Sequence, residues 1–299
     1  MPVAGPVLPE VVANGLRSEK RIALTFDACS VRKVANPFDE RIVRILEQTQ
    51  TPATLFLGGK WARRQFTSLR QMAQNPLFEM ANHSFNHPHL TRATETAIRA
   101  ELLQAQTEIF AATGRLPTLF RPPYGEYDEK LVRVAASVGL TTVEYDLPSG
   151  DPDDHATKDR LVRYVLLKAR PGSIVVMHMN HPKFHTAEAL PDIIRGLRAR
   201  GYTLVTVGEL IRASREERAR PNCSMPTTPW QPSSSGVGLE LDDDWSATAP
   251  DPGEKDEGDE GDRPVLPEDT VAWLARAPTT FPVGPASGRR RFRPVFRYE

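Results

Sequence analysis

The sequence has few cysteines, no excess of charge of either sign and no long apolar run. Two cysteines, Cys29 and Cys223, are too few for a disulfide framework. Lys plus Arg and Asp plus Glu number 38 each, so net charge gives no reason to expect nucleic acid or an acidic membrane surface as partner. No apolar run is long enough to span a bilayer. We therefore expect no nucleic-acid partner and no membrane span, and the sequence leaves the oligomeric state open.

Aromatic residues are also scarce, at 7% of the chain, whereas 27 of the 299 residues are prolines. This composition is typical of a folded domain with an extension that cannot bury enough apolar surface to fold. Residues 221–285 are rich in Pro, Ser, Gly and acidic residues, and residues 289–293 are mostly basic. We predict an irregular segment over residues 1–19, a folded domain over 20–213, and a largely disordered tail over 214–299. A docking tail and a merely solvated tail both fit this composition.

The N-terminal residues Met1–Pro6 lack both the basic and the apolar region of a secretory signal. As the chain is written, the sequence predicts a cytoplasmic protein. A truncated start would instead fit a protein of the cell envelope or a secreted one.

Short apolar strands alternate with amphipathic helices through the folded domain. The clearest strands are Ile22–Asp27, Ala53–Leu57, Phe78–Asn82 and Ser173–His178, and Thr94–Thr113 is the longest helical segment. This alternation predicts parallel strands joined by helical crossovers. The number of units in this length favours a closed α/β barrel over an open sheet, and no glycine-rich phosphate loop follows the first strand.

A histidine-rich stretch follows the third of these strands. His83 and His87 lie four residues apart. If the chain makes one helical turn after Asn82, both imidazoles lie on one face and can hold one metal ion. Pro88 disfavours helical geometry at His87, so the turn should end there. A polar loop without a metal is the alternative.

Polar residues stand at the carboxyl ends of four predicted strands, namely Asp27, His83, Arg121 and His178. In a parallel barrel, the carboxyl ends of the strands meet at one mouth. The sequence therefore predicts one pocket in which these four residues lie together.

Four segments resemble successive motifs of the polysaccharide deacetylases with a NodB homology domain, the carbohydrate esterase family 4 type. They are Thr25–Asp27, His83–His87, Arg121–Tyr124 and Val176–His178, and they occur in the family's order. The resemblance implies a distorted (β/α)7-type barrel, a divalent metal (usually zinc), and hydrolytic removal of N-acetyl groups. The implied substrate is an amino-sugar polymer, such as peptidoglycan or a chitin-like oligosaccharide.

The matching residues suit amide hydrolysis, which needs an activated water, a polarised carbonyl and a proton for the departing amine. We predict that His83 and His87 hold the metal. Asp27 would act as the base, with Arg121 pairing to keep it ionised. His178 would protonate the leaving nitrogen, because the usual pKa of histidine suits acid catalysis near neutral pH.

Two further positions receive roles from the resemblance. The backbone of Tyr124, held by Pro122 and Pro123, is predicted to bind substrate by supplying an oxyanion-hole N–H. Asp151 resembles the aspartate of the family's fourth motif, which supports the catalytic histidine. The tryptophan expected near it is absent, and Asp146 competes for the role. Either aspartate also fits a simple turn or cap.

The sequence departs from the family pattern at position 28, where the family has a second aspartate that ligates the metal. Ala28 has no donor atom, so three explanations compete. The first is that Asp27 itself reaches the metal, which we favour because a strand-end carboxylate already points to the mouth. Alternatively, Cys29 supplies a thiolate, although alternation along a strand directs residues 28 and 29 to opposite sides, or water fills the position.

Other sequence features leave further alternatives open. Four loop histidines lie outside the motifs, namely His89, His155, His181 and His185. We expect them to be exposed and not to bind metal, with lining of the groove or binding of substrate as the alternative for His181 and His185. The four tryptophans form no obvious sugar-stacking cluster. A small non-peptide amide inside the cell is an alternative substrate for the same barrel. A metal-free, non-catalytic glycan-binding homologue is the alternative from a different functional class.

Overall fold

The computed structural model describes residues 7–30 and 37–220. The tail beyond residue 220, including Cys223, lies outside the described residues, so the prediction of a disordered tail stays a prediction. Residues 214–219, which we assigned to the tail, belong instead to the last helix, Val207–Ala219. The segment before residue 20, predicted to be irregular, contributes the short strand Val11–Val12.

The described chain alternates strands and helices almost throughout. The strands, β1 to β9, are Val11–Val12, Arg21–Ala28, Ala53–Leu57, Phe78–Asn82, Leu119–Phe120, Thr141–Val143, Leu147–Pro148, Ile174–His178 and Thr203–Val205. The helices, α1 to α8, are Glu40–Gln48, Gly59–Arg64, Phe66–Met72, Glu95–Thr113, Glu129–Ser137, Lys158–Lys168, Thr186–Ala199 and Val207–Ala219. Short 3-10 turns at Leu90–Arg92 and Pro123–Gly125 complete the set. No helix in these ranges is both long and apolar enough to cross a membrane.

The strands form one parallel sheet that curls into a barrel. Their order is β1-β6-β5-β4-β3-β2-β8-β7, and β9 also pairs with β2. Every recorded strand pair is parallel. Parallel strands joined by helices are the arrangement that the sequence alternation predicted. The prediction of an α/β fold, a distorted (β/α)7-type barrel, is therefore confirmed.

Side chains alternate along the strands between two apolar layers. Ala23 of β2 and Phe56 of β3 pack in an inner cluster. Leu24 and Phe26 of β2 pack in the larger cluster shared with the helices. This period-two alternation follows from strand geometry and leaves the next inward-facing positions of β2 for polar residues near the mouth.

The opposite end of the barrel is closed by α8. The N–H of Val207 donates to Thr54 Oγ1 at 2.9 Å, and the N–H of Gly208 donates to Glu79 Oε2 at 3.0 Å. Thr54 and Glu79 lie near the starts of β3 and β4, so this helix covers the amino-terminal end of the sheet. Thr54 Oγ1 also donates to Glu79 Oε2 at 2.7 Å. Burial raises the pKa of Glu79, and the hydrogen bonds from Gly208 and Thr54 partly oppose the rise. Glu79 therefore joins β3, β4 and α8 at this end of the barrel.

Helix boundaries follow local capping chemistry. Asp128 accepts from Leu131 N at the start of α5, and Thr206 forms a capping box with Glu209 at the start of α8. Helix α4 ends at Gly114, whose φ of 68° is left-handed. The apolar pattern from Trp61 to Gln74 is typical of one helix, but the chain breaks at Gln65 into α2 and α3.

Candidate active site

Asp27 and Arg121 form a buried ion pair at the carboxyl end of β2. Arg121 Nη1 donates to Asp27 Oδ1 at 2.6 Å and to Thr25 Oγ1 at 2.8 Å. The guanidinium also lies 3.9 Å from the centre of the Phe56 ring. Burial opposes a charge on Asp27, but Arg121, with His83 and His178, outweighs burial and lowers the pKa of Asp27. The structure thus holds Asp27 ionised, with one oxygen occupied by Arg121.

His83 and His87 lie side by side, but not on a helical turn as we predicted. Their ring centroids are 4.9 Å apart. Ser84 and His87 have φ of 60° and 61°, which is left-handed rather than helical. Asn82 Oδ1 accepts from Ser84 N at 2.8 Å, and Ser84 Oγ accepts from His87 N at 3.1 Å. These bonds from side chain to backbone replace the helical ones and close a loop instead.

Both imidazoles are neutral in their buried positions. Burial lowers the pKa of His83, and it lowers the pKa of His87 to about 3. His83 Nδ1 lies 2.8 Å from Arg121 O, so the neutral ring donates its proton to that carbonyl. Its Nε2 therefore carries a lone pair, and Asp27 Oδ2 lies 3.8 Å away from it. Two acceptors that face each other at this distance favour a cation between them.

The donor set fits a divalent metal ion only in part. Two ligands of a tetrahedral zinc ion are about 3.4 Å apart, close to the observed separation of His83 Nε2 and Asp27 Oδ2. Among the described residues, however, no group of three or more His, Cys, Asp or Glu side chains could hold a metal ion as they stand. The described residues thus offer two neutral imidazoles and the Oδ2 oxygen of Asp27, without a further carboxylate beside them.

Neither Ala28 nor Cys29 supplies a further metal ligand. Ala28 is fully buried and packs in the larger apolar cluster shared with the helices. Burial and the charge of Asp27 raise the pKa of the Cys29 thiol to about 12. Cys29 Sγ also accepts from Asn180 Nδ2 at 3.1 Å. The geometry therefore gives no support to Cys29 as a thiolate ligand.

His178, at the end of β8, pairs with the buried Asp151. Asp27 and His178 are register partners on the adjacent strands β2 and β8. His178 Nδ1 lies 2.9 Å from Asp151 Oδ1, and His178 N donates to Asp151 Oδ2 at 2.7 Å. Burial opposes a charge on His178, but Asp151 outweighs burial and raises the pKa of the imidazole. The His178 side chain is 22% exposed, so it faces the open mouth.

Asp146, the competitor for the role of Asp151, lies elsewhere. Its carboxylate accepts from Arg17 Nη2 at 2.7 Å, Ser173 Oγ at 3.0 Å and Ile174 N at 2.8 Å. These bonds tie the start of β8 to the N-terminal segment. Of the two aspartates, Asp151 is the one that contacts His178.

The Pro123–Gly125 turn carries Tyr124 to the rim of the mouth. Tyr124 has a φ of 61°, and its hydroxyl donates to His87 O at 3.2 Å. Its ring stacks on His89 with centroids 4.1 Å apart, and His89 Nδ1 lies 2.9 Å from Glu126 Oε2. His89, which we expected to be merely exposed, is therefore part of the packing that holds this turn.

Sequence reasoning missed two acidic residues around the site. Glu101 of α4 accepts at Oε2 from Phe85 N at 3.0 Å and from Asn86 N at 2.8 Å, and at Oε1 from Asn86 Nδ2 at 2.6 Å. It thereby fixes the loop between the two histidines. Glu144, directly after β6, is a buried acid whose Oε2 lies against Gly125. Neither lies in a motif or at a strand end in the sequence-based assignment, so only the fold reveals them.

The comparisons with known proteins agree with this arrangement. Residues 14–143 match the family model described as polysaccharide deacetylase. A chitooligosaccharide deacetylase from Bradyrhizobium is 32% identical over 66% of this chain and 92% of its own length. The chain belongs to the polysaccharide deacetylase family. The family resemblance predicted from the four motifs is thus confirmed, and with it membership in a family of hydrolases that act on carbon–nitrogen bonds.

Other polysaccharide deacetylase relatives are less informative about activity. The uncharacterized protein YlxY of Bacillus subtilis is 32% identical over 69% of this chain, and the match spans 62% of YlxY. A crystal structure described as a family 4 pseudoenzyme from Bacillus anthracis superposes with a TM-score of 0.62 at 29% identity, over 68% of this chain and 69% of the other. A mutant of that pseudoenzyme is described as having restored enzymatic activity.

Proposed function

We propose that this chain is a metal-dependent hydrolase that removes N-acetyl groups from an amino-sugar polymer, either peptidoglycan or a chitin-like oligosaccharide. The observation that supports it most directly is that two ion pairs lie at the ends of the neighbouring strands β2 and β8. One is an ionised carboxylate held by Arg121, and the other is an imidazole with a raised pKa held by Asp151. A base and an acid next to each other at one mouth are what hydrolysis of an amide requires.

The residues that would hold the metal are His83, His87 and Asp27. The two neutral imidazoles supply lone pairs, and Asp27 Oδ2 is the free oxygen that faces His83. When bound, a divalent ion such as zinc would polarise the amide carbonyl and make a bound water more acidic. The metal requirement and the choice of zinc rest on the donor set and on family membership.

The chain's own residues then divide the proton chemistry. Asp27 accepts the proton of the attacking water, and Arg121 keeps it ionised and oriented. His178, whose pKa is raised by Asp151 against the effect of burial, gives a proton to the departing nitrogen. The N–H of Tyr124 would bind the oxyanion at the rim, where Pro123 and the His89 stack fix the turn.

Asp27 carries two tasks on one oxygen in this assignment. Arg121 occupies Oδ1, so Oδ2 serves both as the metal ligand and as the base. A second carboxylate at position 28 would divide the tasks, but Ala28 provides none. We therefore expect weaker metal binding and slower turnover than in a relative with both carboxylates.

A direct test measures acetate release from chitin oligomers and from peptidoglycan by the purified chain with added zinc or cobalt, together with metal content. His83→Ala should lose metal and activity together. His178→Ala should keep metal and lose turnover, because its target is the proton for the amine. His155→Ala, an exposed loop histidine, is the matched control and should change neither. The reverse pattern for His83 and His178 would refute these roles.

A second candidate function is favoured by Ala28 and by the pseudoenzyme relative: a non-catalytic glycan-binding protein. It predicts glycan binding with no detectable metal and no acetate release. A third, hydrolysis of a small amide on the same site, predicts acetate release from small amides and none from glycans.

A further inference from the structure

The loop that follows His178 is held rigidly at the edge of the mouth. Phe184 N donates to His181 O at 3.0 Å and closes a turn. Arg41 Nη2 donates to Pro182 O at 2.9 Å, and Asp39 holds Arg41 through Nε at 2.8 Å and Nη2 at 2.7 Å. Asp39 orients the guanidinium, and its single bond to Pro182 O ties the loop to the start of α1.

This loop places the rings of Phe184 and His181 beside the partly exposed ring of His178. The Phe184 ring stacks on His181 with centroids 4.5 Å apart and an interplanar angle of 17°. The same ring lies 6.2 Å from the His178 ring at 83°. Phe184 belongs to none of the buried apolar clusters of the described residues. Its apolar surface therefore does not stabilise the core.

Aromatic rings with polar groups beside them match the chemistry of a sugar. A pyranose ring has an apolar face of C–H groups that packs on an aromatic ring, while its hydroxyl and amide N–H groups donate hydrogen bonds at the edge. We propose that Phe184, stacked on His181 beside His178, forms a sugar-binding subsite for the pyranose ring that carries the departing amine. The proposal deepens, and rests on, the proposed glycan deacetylation.

The test compares wild type with Phe184→Ala, Phe184→Trp and the control Phe110→Ala, which removes another half-buried phenylalanine from α4. The full chain, treated with a chelator to prevent turnover, is titrated calorimetrically with the fully N-acetylated chitin tetramer. We expect Phe184→Ala to raise Kd about tenfold, Phe184→Trp to stay within about twofold of wild type, and Phe110→Ala to have no effect. In the metal-loaded enzyme, KM should rise by a similar factor with kcat nearly unchanged, because stacking is equal in the ground and transition states.

The outcomes separate this subsite from the deacetylase assignment. If the tetramer binds and Phe184→Ala weakens binding while no acetate is released, the subsite stands and the proposed function fails. If acetate is released but Phe184→Ala binds the tetramer as wild type does, the subsite is refuted. Absence of tetramer binding by wild type, or loss of kcat at unchanged KM in Phe184→Ala, would also overturn it.

Discussion

Glu144 is a buried acid, and replacing it with glutamine should change how stability depends on pH. Its side chain is 7% exposed, and its Oε1 has no hydrogen-bond partner among the described residues. Its Oε2 lies so close to Gly125 that a Cβ added to this glycine would be 3.4 Å from it. Burial raises the pKa of Glu144 to about 8, the charge of Asp27 adds to the rise, and Arg121 opposes it.

The size and sign of the effect follow from the linkage between proton binding and folding. The folded pKa lies above the unfolded value of 4.5, so the folded state binds the proton more tightly. The contribution of Glu144 to stability is therefore fully present below pH 4.5, is lost as pH rises towards 8, and does not change further above that value. A shift of about 3.5 pKa units corresponds to about 5 kcal/mol. This is a large part of the roughly 5–15 kcal/mol that stabilises a typical domain.

The assay is chemical denaturation of wild type and Glu144→Gln at several pH values between about 4 and 9, with chelator present. The variant cannot ionise at this position, so its advantage over wild type should grow by several kcal/mol across that range. Other titrating groups are shared and largely cancel in the difference. Glu129→Gln is the matched control, because the Glu129 side chain is 88% exposed and should give no such growth. Parallel pH curves for wild type and Glu144→Gln would refute the reasoning.

Three further changes test the site. Glu101→Gln should weaken zinc binding about tenfold, because the amide cannot accept all three N–H bonds that fix the loop at Asn86. A chelator-competition titration measures this affinity, and an unchanged value would contradict the prediction. Ala28→Asp should raise zinc affinity at least tenfold and speed acetate release, whereas destabilisation with no gain in affinity would show that position 28 does not reach the metal. Asp151→Asn should lower the pKa of His178, because the carboxylate that raises this pKa is lost. The alkaline limb of the pH profile of kcat/KM should therefore move to lower pH. NMR can follow the titration of His178, and an unchanged titration would exclude the role of Asp151.

The location of the mouth could be predicted because it depends on strand ends alone. Asp27 and His178 both end apolar strands in the sequence, and parallel strands place such ends together. The structure puts these two residues in register on β2 and β8. Which strands would be neighbours was not readable from periodicity, since the crossovers are long enough to permit several strand orders.

The loop geometry could not be predicted, because local side chains compete with the helix. The four-residue spacing of His83 and His87 suits a helical face, but Asn82 and Ser84 bond to the backbone and select left-handed conformations instead. Glu101, which completes that loop, comes from the next helix, and contact between distant segments leaves no local pattern in the sequence. The same reason hides the pairing of Phe184 with the mouth.

The residue at position 28 decides how strongly this site can bind a metal ion. Ala28 packs in the apolar cluster, and the Cys29 thiol stays protonated and bonded to Asn180. Asp27 Oδ2 is then the one carboxylate oxygen that faces His83 and is not bound to Arg121. Two imidazoles and one shared oxygen bind a cation less strongly than two imidazoles and a dedicated carboxylate. The acid–base pairs are intact around this weakened donor set, so metal occupancy, rather than proton transfer, should limit the rate of hydrolysis at low zinc concentration.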